Sequence, residues 1–68
     1  MSVFSERLKE LRKEKGVSQC FLAEHIGVTQ QCTSGWEKDK IEPTLSNLVL
    51  LADVFDVSID FLAGRKDF

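Results

Sequence analysis

Proline and histidine occur once each, cysteine twice and tyrosine not at all, and each scarcity removes a class of explanation. With His25 as the single histidine, and with Cys20 and Cys32 too far apart to form a CxxC pair, there is too little for a Cys/His zinc site. The two thiols are expected to be reduced and structurally dispensable in a cytoplasmic protein, with a redox or intermolecular role as the alternative. No apolar run approaches the roughly 20 residues a spanning helix needs, and the opening Met1-Ser2-Val3-Phe4-Ser5-Glu6 lacks the basic-then-apolar layout of a signal peptide. No membrane, metal, cofactor or small-molecule ligand is therefore expected. An enzyme is not expected either: His25 has no nucleophile beside it in a recognisable motif, the carboxylates are scattered, and no Gly-rich phosphate loop occurs.

Positive charge in excess is also missing. A formal net charge of −2 argues at first against nucleic acid, because phosphates must be met by Lys and Arg. The distribution qualifies this. Through Lys40 seven basic residues stand against six acidic ones, whereas from Ile41 onward two stand against five. A molecule with its acidic half turned away from DNA is compatible with these counts, as is a mixed solvated surface.

What is present is the material for one small core. A content of 43% hydrophobic and 29% charged residues, without low-complexity segments, is that of a foldable domain, and 68 residues leave no room for a second. Phe4, Leu8 and Leu11 recur at helical spacing and predict a helix over about 3–15, stopped by Gly16. Ser18 caps a short second helix, about 19–26, whose stripe is Leu22, Ala23 and Ile26 and whose stop is Gly27.

Thr29 caps a third helix over about 30–38 with only one large apolar residue, Trp36. Such a helix lacks a wide buried face, so most of its surface should meet solvent or a ligand. Pro43 sets Glu42 outside helical geometry and Thr44 caps a fourth helix, about 45–55, with the stripe Leu45, Leu48, Val49, Ala52 and Phe55. Asp56 ends it where Gly or Asn is usual, and Ser58 opens a fifth, about 59–63, closed by Gly64. The fold class is all-α, a compact five-helix domain.

Two short helices joined by a tight turn can cross steeply only over a small residue and through a turn residue that tolerates positive φ, which Ala23 and Gly27 provide. Leu22, Ile26, Val28 and Trp36 stand where such a pair needs apolar anchors. Ser18-Gln19, Leu22-Ala23, Ile26-Gly27-Val28-Thr29, Trp36-Glu37 and Pro43-Thr44 resemble the lambda repressor/Cro-type helix-turn-helix family. The stretches Leu8-Lys9-Glu10-Leu11-Arg12 and Val57-Ser58-Ile59-Asp60-Phe61-Leu62 fit it too, so the resemblance runs from Phe4 to Gly64. It implies a lambda repressor-like domain that regulates transcription, commonly as a homodimer on a two-fold operator.

The resemblance places Gln30 and Gln31 in the first turn of the recognition helix, the part that meets base edges in the major groove. A Gln amide carries a donor and an acceptor side by side, matching adenine N6 and N7. Ser34 is a further base-reading candidate, although it and Gly35, taken as outward-facing, reach little; shape and the first turn would then carry discrimination. Phosphate contacts are expected from Gln19, Thr29, Lys38 and Lys40. Arg12 and Glu37 match positions that pair across helices one and three in similar proteins and orient the reading helix.

Thr33 stands where similar proteins carry Ile or Val, tolerable if its hydroxyl bonds back to a carbonyl one turn earlier. Phe21 is expected to pack within the molecule, and Cys20 and Cys32 to lie near the DNA-facing surface. Ile59, Phe61 and Phe68 are candidates for a dimer interface. Two readings remain open at this point: a sequence-specific DNA-binding repressor of the phage or mobile-element kind, and a protein-interaction module, such as an antitoxin or anti-repressor partner, built on the same helices.

Overall fold

A computed structural model describes residues 2–67, and places in them five α-helices: α1 Val3–Lys15, α2 Gln19–Ile26, α3 Gln30–Glu37, α4 Leu45–Phe55 and α5 Ile59–Ala63. No strand occurs among the described residues. Every helix opens on a hydroxyl. Ser2, Ser18, Thr29, Thr44 and Ser58 sit in extended conformation and accept a hydrogen bond from the backbone N–H three residues on, satisfying an otherwise orphaned donor. Asp56 closes α4 at φ 55°, a left-handed conformation that Asp tolerates better than most residues. Lys38, with φ −91° and ψ 2°, caps α3, so that helix stops one residue short of the expected boundary.

The core joins all five helices. Leu8 of α1, Leu22 and Ile26 of α2, Trp36 of α3, Leu51, Ala52 and Phe55 of α4 and Leu62 of α5 form one buried cluster. Partly buried Phe4, Leu11, Val28 and Leu48 pack around it. Trp36 is only 1% exposed, which makes it the anchor that sinks α3 into the domain.

Two expectations about burial need correcting. The stripe of α4 is rotated: Leu45 is 72% and Val49 38% exposed, while Leu51, outside the predicted stripe, is wholly buried. The cause is the placing of α4, which touches α1, α2 and α5 through its Leu48–Leu51–Ala52–Phe55 side, leaving its first turn beyond the core. In α3, four residues are buried rather than Trp36 alone, but the other three are Thr33, Gly35 and Glu37. A buried face exists; it is built from small and polar groups, which is why apolar periodicity does not reveal it.

At the other end of the core Arg7 binds the last helix to the first. Its guanidinium lies 4.2 Å over the Phe61 ring and donates to the carbonyls of Phe61 and, at 2.6 Å, of Lys66.

Candidate nucleic-acid interface

Helices α2 and α3 form the most intimate pair in the molecule, joined by the turn Gly27-Val28-Thr29. Gly27 adopts φ 93°, closed to residues with a Cβ except at a cost, and its N–H and that of Val28 both return to the Ala23 carbonyl, at 2.8 and 3.0 Å. Ala23 is buried, 3% exposed, on the inner face of α2. The result is a short helix, a tight turn and a second short helix whose N-terminal end projects.

That end carries Gln30 and Gln31, both exposed, with Ser34 half-exposed one turn on. Thr29, also exposed, accepts from the Cys32 N–H at 3.2 Å. The N–H groups of Gln30 and Gln31 belong to the first turn, where no helix carbonyl is available to them. Gly35, expected beside Ser34, instead faces inward: a Cβ built on it would lie 2.4 Å from Ile41 Cδ1. The outward-facing polar surface of α3 is thereby confined to the first turn and Ser34. Cys32 likewise turns partly onto the core rather than outward, while Cys20 is exposed.

The opposite side of α3 is fixed by charge. Arg12 Nε meets Glu37 Oε2 at 2.6 Å and Arg12 Nη2 meets Oε1 at 3.1 Å, a two-pronged pair with the Glu37 side chain 3% and that of Arg12 16% exposed. The remaining prong of Arg12, Nη1, donates to the Val17 carbonyl at 3.0 Å, so the loop between α1 and α2 is held as well. The hydrogen bonds that Arg12 donates to Glu37 raise its pKa above its ordinary value, more than burial lowers it, and the guanidinium stays charged.

Gln19 enters this cluster in a way its residue type does not announce. Its Nε2 donates to Glu37 Oε1 at 3.1 Å, so one amide hydrogen is committed to the buried carboxylate and the other is left over. Lys38 and Lys40 are exposed just beyond the helix. Between them lies Asp39, absent from the residues singled out by sequence, at φ 62°.

Thr33 is fully buried, and its Oγ1 has no hydrogen-bond partner among the described residues; the bond to a carbonyl one turn back that would make a Thr tolerable here does not form. Phe21, expected to pack within the molecule, keeps more than half of its surface in solvent: it is 54% exposed and stacks on His25 of its own helix, ring centroids 6.2 Å apart. Of the dimer candidates, Ile59 is exposed, Phe61 is half-buried beneath Arg7, and Phe68 lies outside the described residues.

Two short crossed helices, an exposed polar first turn and a buried charge pair behind it define a small helical domain of the helix-turn-helix class. The helix-turn-helix family model matches residues 8–62, and the chain belongs to that family. Among curated proteins it is 37% identical over 65 residues to the uncharacterized HTH-type transcriptional regulator YobD of Bacillus subtilis, covering 96% of this chain and 58% of that protein. It is 43% identical over 60 residues to the SPbeta prophage-derived uncharacterized HTH-type transcriptional regulator YonR of the same organism, covering 88% and 56%. The chain thus spans little more than half the length of these relatives. Among solved structures, the P22 c2 repressor in complex with a synthetic operator superposes with a TM-score of 0.89 at 29% identity, over 97% of this chain and 100% of that one.

Proposed function

We propose that this chain is the sequence-reading domain of a transcriptional regulator of the phage or mobile-element kind, which binds double-stranded operator DNA through the major groove and represses by occupying a promoter. The observation that carries this reading is the division of α3. Trp36 and Glu37 are sunk into the domain while Gln30 and Gln31 stand exposed at the N-terminal turn, so a rigid support presents two amides outward. Gln30 and Gln31 read base edges, adenine foremost, with Ser34 at the margin. Gln19, through the amide hydrogen not used by Glu37, the N-terminal end of α3 at Thr29, and Lys38 and Lys40 meet phosphates. Arg12 and Glu37 keep the helix at its angle. No catalytic step belongs to this function, and it operates in the cytoplasm.

The reading includes a homodimer on a two-fold site, since a domain reading about four or five base pairs gains specificity by duplication about an axis. Ile59, Phe61 and Phe68 are the candidates for the contact. The similarity to a repressor crystallised on an operator supports the DNA reading over a purely protein-binding module. Selection from a random duplex pool tests it. Enrichment of one motif, bound above mixed-sequence background with affinity falling steeply in salt, is expected; no enrichment and no salt dependence would favour the protein-binding reading.

A further inference from the structure

The turn that leaves α3 is fastened to the start of α1 by contacts that neither the reading surface nor the Arg12–Glu37 pair uses. Asp39 Oδ2 accepts from the Ser2 N–H at 3.1 Å, and Oδ1 lies 3.3 Å from the Ser5 hydroxyl. That hydroxyl is fully buried and points its single proton at the Trp36 carbonyl, 2.7 Å away, with Asp39 Oδ1 as the longer second acceptor. The N–H groups of Lys40 and Ile41 both turn back to the Gly35 carbonyl, at 2.8 and 3.2 Å, and the Ile41 side chain covers Gly35. Residues 38–41 are therefore held by a carboxylate on a helix N-terminus, by a buried hydroxyl and by a close backbone approach.

Asp39 is an expensive choice for this place on two grounds. Its φ of 62° lies in the left-handed region that disfavours non-glycine residues, Asp and Asn least, and such a conformation persists where its surroundings over-determine it. Its negative charge stands between two lysines that face phosphate in the function proposed above, and repels the same phosphates. A residue with these costs has to return more through the groups it holds in place. The hydrogen bonds to Ser2 and Ser5 also lower its pKa, so it is a carboxylate whenever the protein is folded near neutrality.

We propose that Asp39 is a positioning residue for DNA binding: by docking on Ser2 and Ser5 it fixes the 38–41 turn against α1 and holds Lys38 and Lys40 in register with the phosphate backbone. With Arg12–Glu37 it forms two fastenings between α1 and α3, seven residues apart on α1, about 10 Å along the helix axis. One fixes the angle of the reading helix, the other fixes the turn at its C-terminal end. The proposal rests on the DNA-binding reading, and its test separates the two.

The variant is Asp39→Asn, which keeps the size and the tolerance of left-handed backbone but removes the charge. Electrostatics alone predicts that removing a negative charge beside DNA tightens binding. Positioning predicts the opposite: binding weaker by about tenfold, alike for the motif selected from the random pool and for a mixed-sequence duplex of about 30 base pairs, with a shallower dependence on salt. In a Lys38→Ala/Lys40→Ala background the Asn substitution then has no further effect, because the groups it positions are gone. Ser5→Ala, which removes the dock from the other side, weakens binding in the same direction; thermal melts confirm that each variant is folded at the assay temperature. Unchanged or tighter binding by Asp39→Asn, or an undiminished loss in the double-lysine background, overturns the positioning role. Failure of the unsubstituted protein to bind either duplex overturns the DNA reading, and this inference with it.

Discussion

Arg12 and Glu37 meet through two hydrogen bonds of 2.6 and 3.1 Å across 25 residues of sequence, in a position where the carboxylate has almost no access to water. A pair in such a place contributes less by its own attraction than by the unpaired charge its removal leaves behind. Arg12→Ala strands a buried carboxylate beside Gln19 and frees the Val17 carbonyl, and is expected to cost on the order of 3 kcal/mol. For a domain of this size, whose total stability is about 3–10 kcal/mol, that is a large fraction. Urea titration of the variant against the parent measures it; an unchanged midpoint contradicts the account.

Thr33 offers a change in the opposite direction. Its hydroxyl is buried with no partner among the described residues, so Thr33→Val, which swaps the hydroxyl for a methyl of similar size, is expected to stabilise the domain by about 1 kcal/mol. In a chain this short that corresponds to a rise in melting temperature of about 4–8 °C. A lower melting temperature for the Val variant would show that the hydroxyl is satisfied in solution.

Lys38 and Lys40 are expected to act on affinity and not on sequence preference. Replacing either with Ala should weaken binding to every duplex by a similar factor and reduce the slope of log affinity against log salt by about one for each phosphate no longer neutralised. Isothermal titrations at several salt concentrations give both quantities. A loss confined to one sequence would move that lysine from phosphate to base.

Asp39 gives the acid side of the stability curve its character. Its pKa is lowered in the folded state, chiefly by the Ser2 hydrogen bonds, so the stability it contributes is complete above the unfolded carboxylate's pKa and is lost as pH falls through the lower folded value. Melting temperature followed from about pH 5 to pH 2 should fall less steeply in Asp39→Asn than in the parent. Parallel curves would mean that the carboxylate has no folded-state preference for its charge.

Much of this architecture is written in local chemistry. Ser18, Thr29, Thr44 and Ser58 are cap residues by type, and each caps. Gly27 and Asp56 stop helices because few other residues accept their backbone angles. The features that could not be read depend on phase and on distance in sequence. The stripe containing Leu45 and Val49 and the one containing Leu51 are both helical repeats, and only the placing of α4 against its neighbours selects between them. Helix α3 has too few apolar residues to declare a phase, so nothing local shows that Gly35 faces inward under Ile41. Asp39 lies 37 residues from Ser2, and an Asp between two lysines after a helix looks like an ordinary turn. Its signal was present only as a residue type that tolerates left-handed backbone.

Base reading by Gln30 and Gln31 in the first turn of α3 is tested by a base-substitution scan. Each position of the selected duplex is changed in turn and binding is measured for the parent, Gln30→Ala and Gln31→Ala. The account predicts that each Ala variant loses preference at its own one or two positions, by about 1–3 kcal/mol, while the preferences elsewhere and the salt slope stay as they were. Retention of the full pattern of preferences by both variants, or strong preference opposite Ser34 and none opposite the two glutamines, would contradict it.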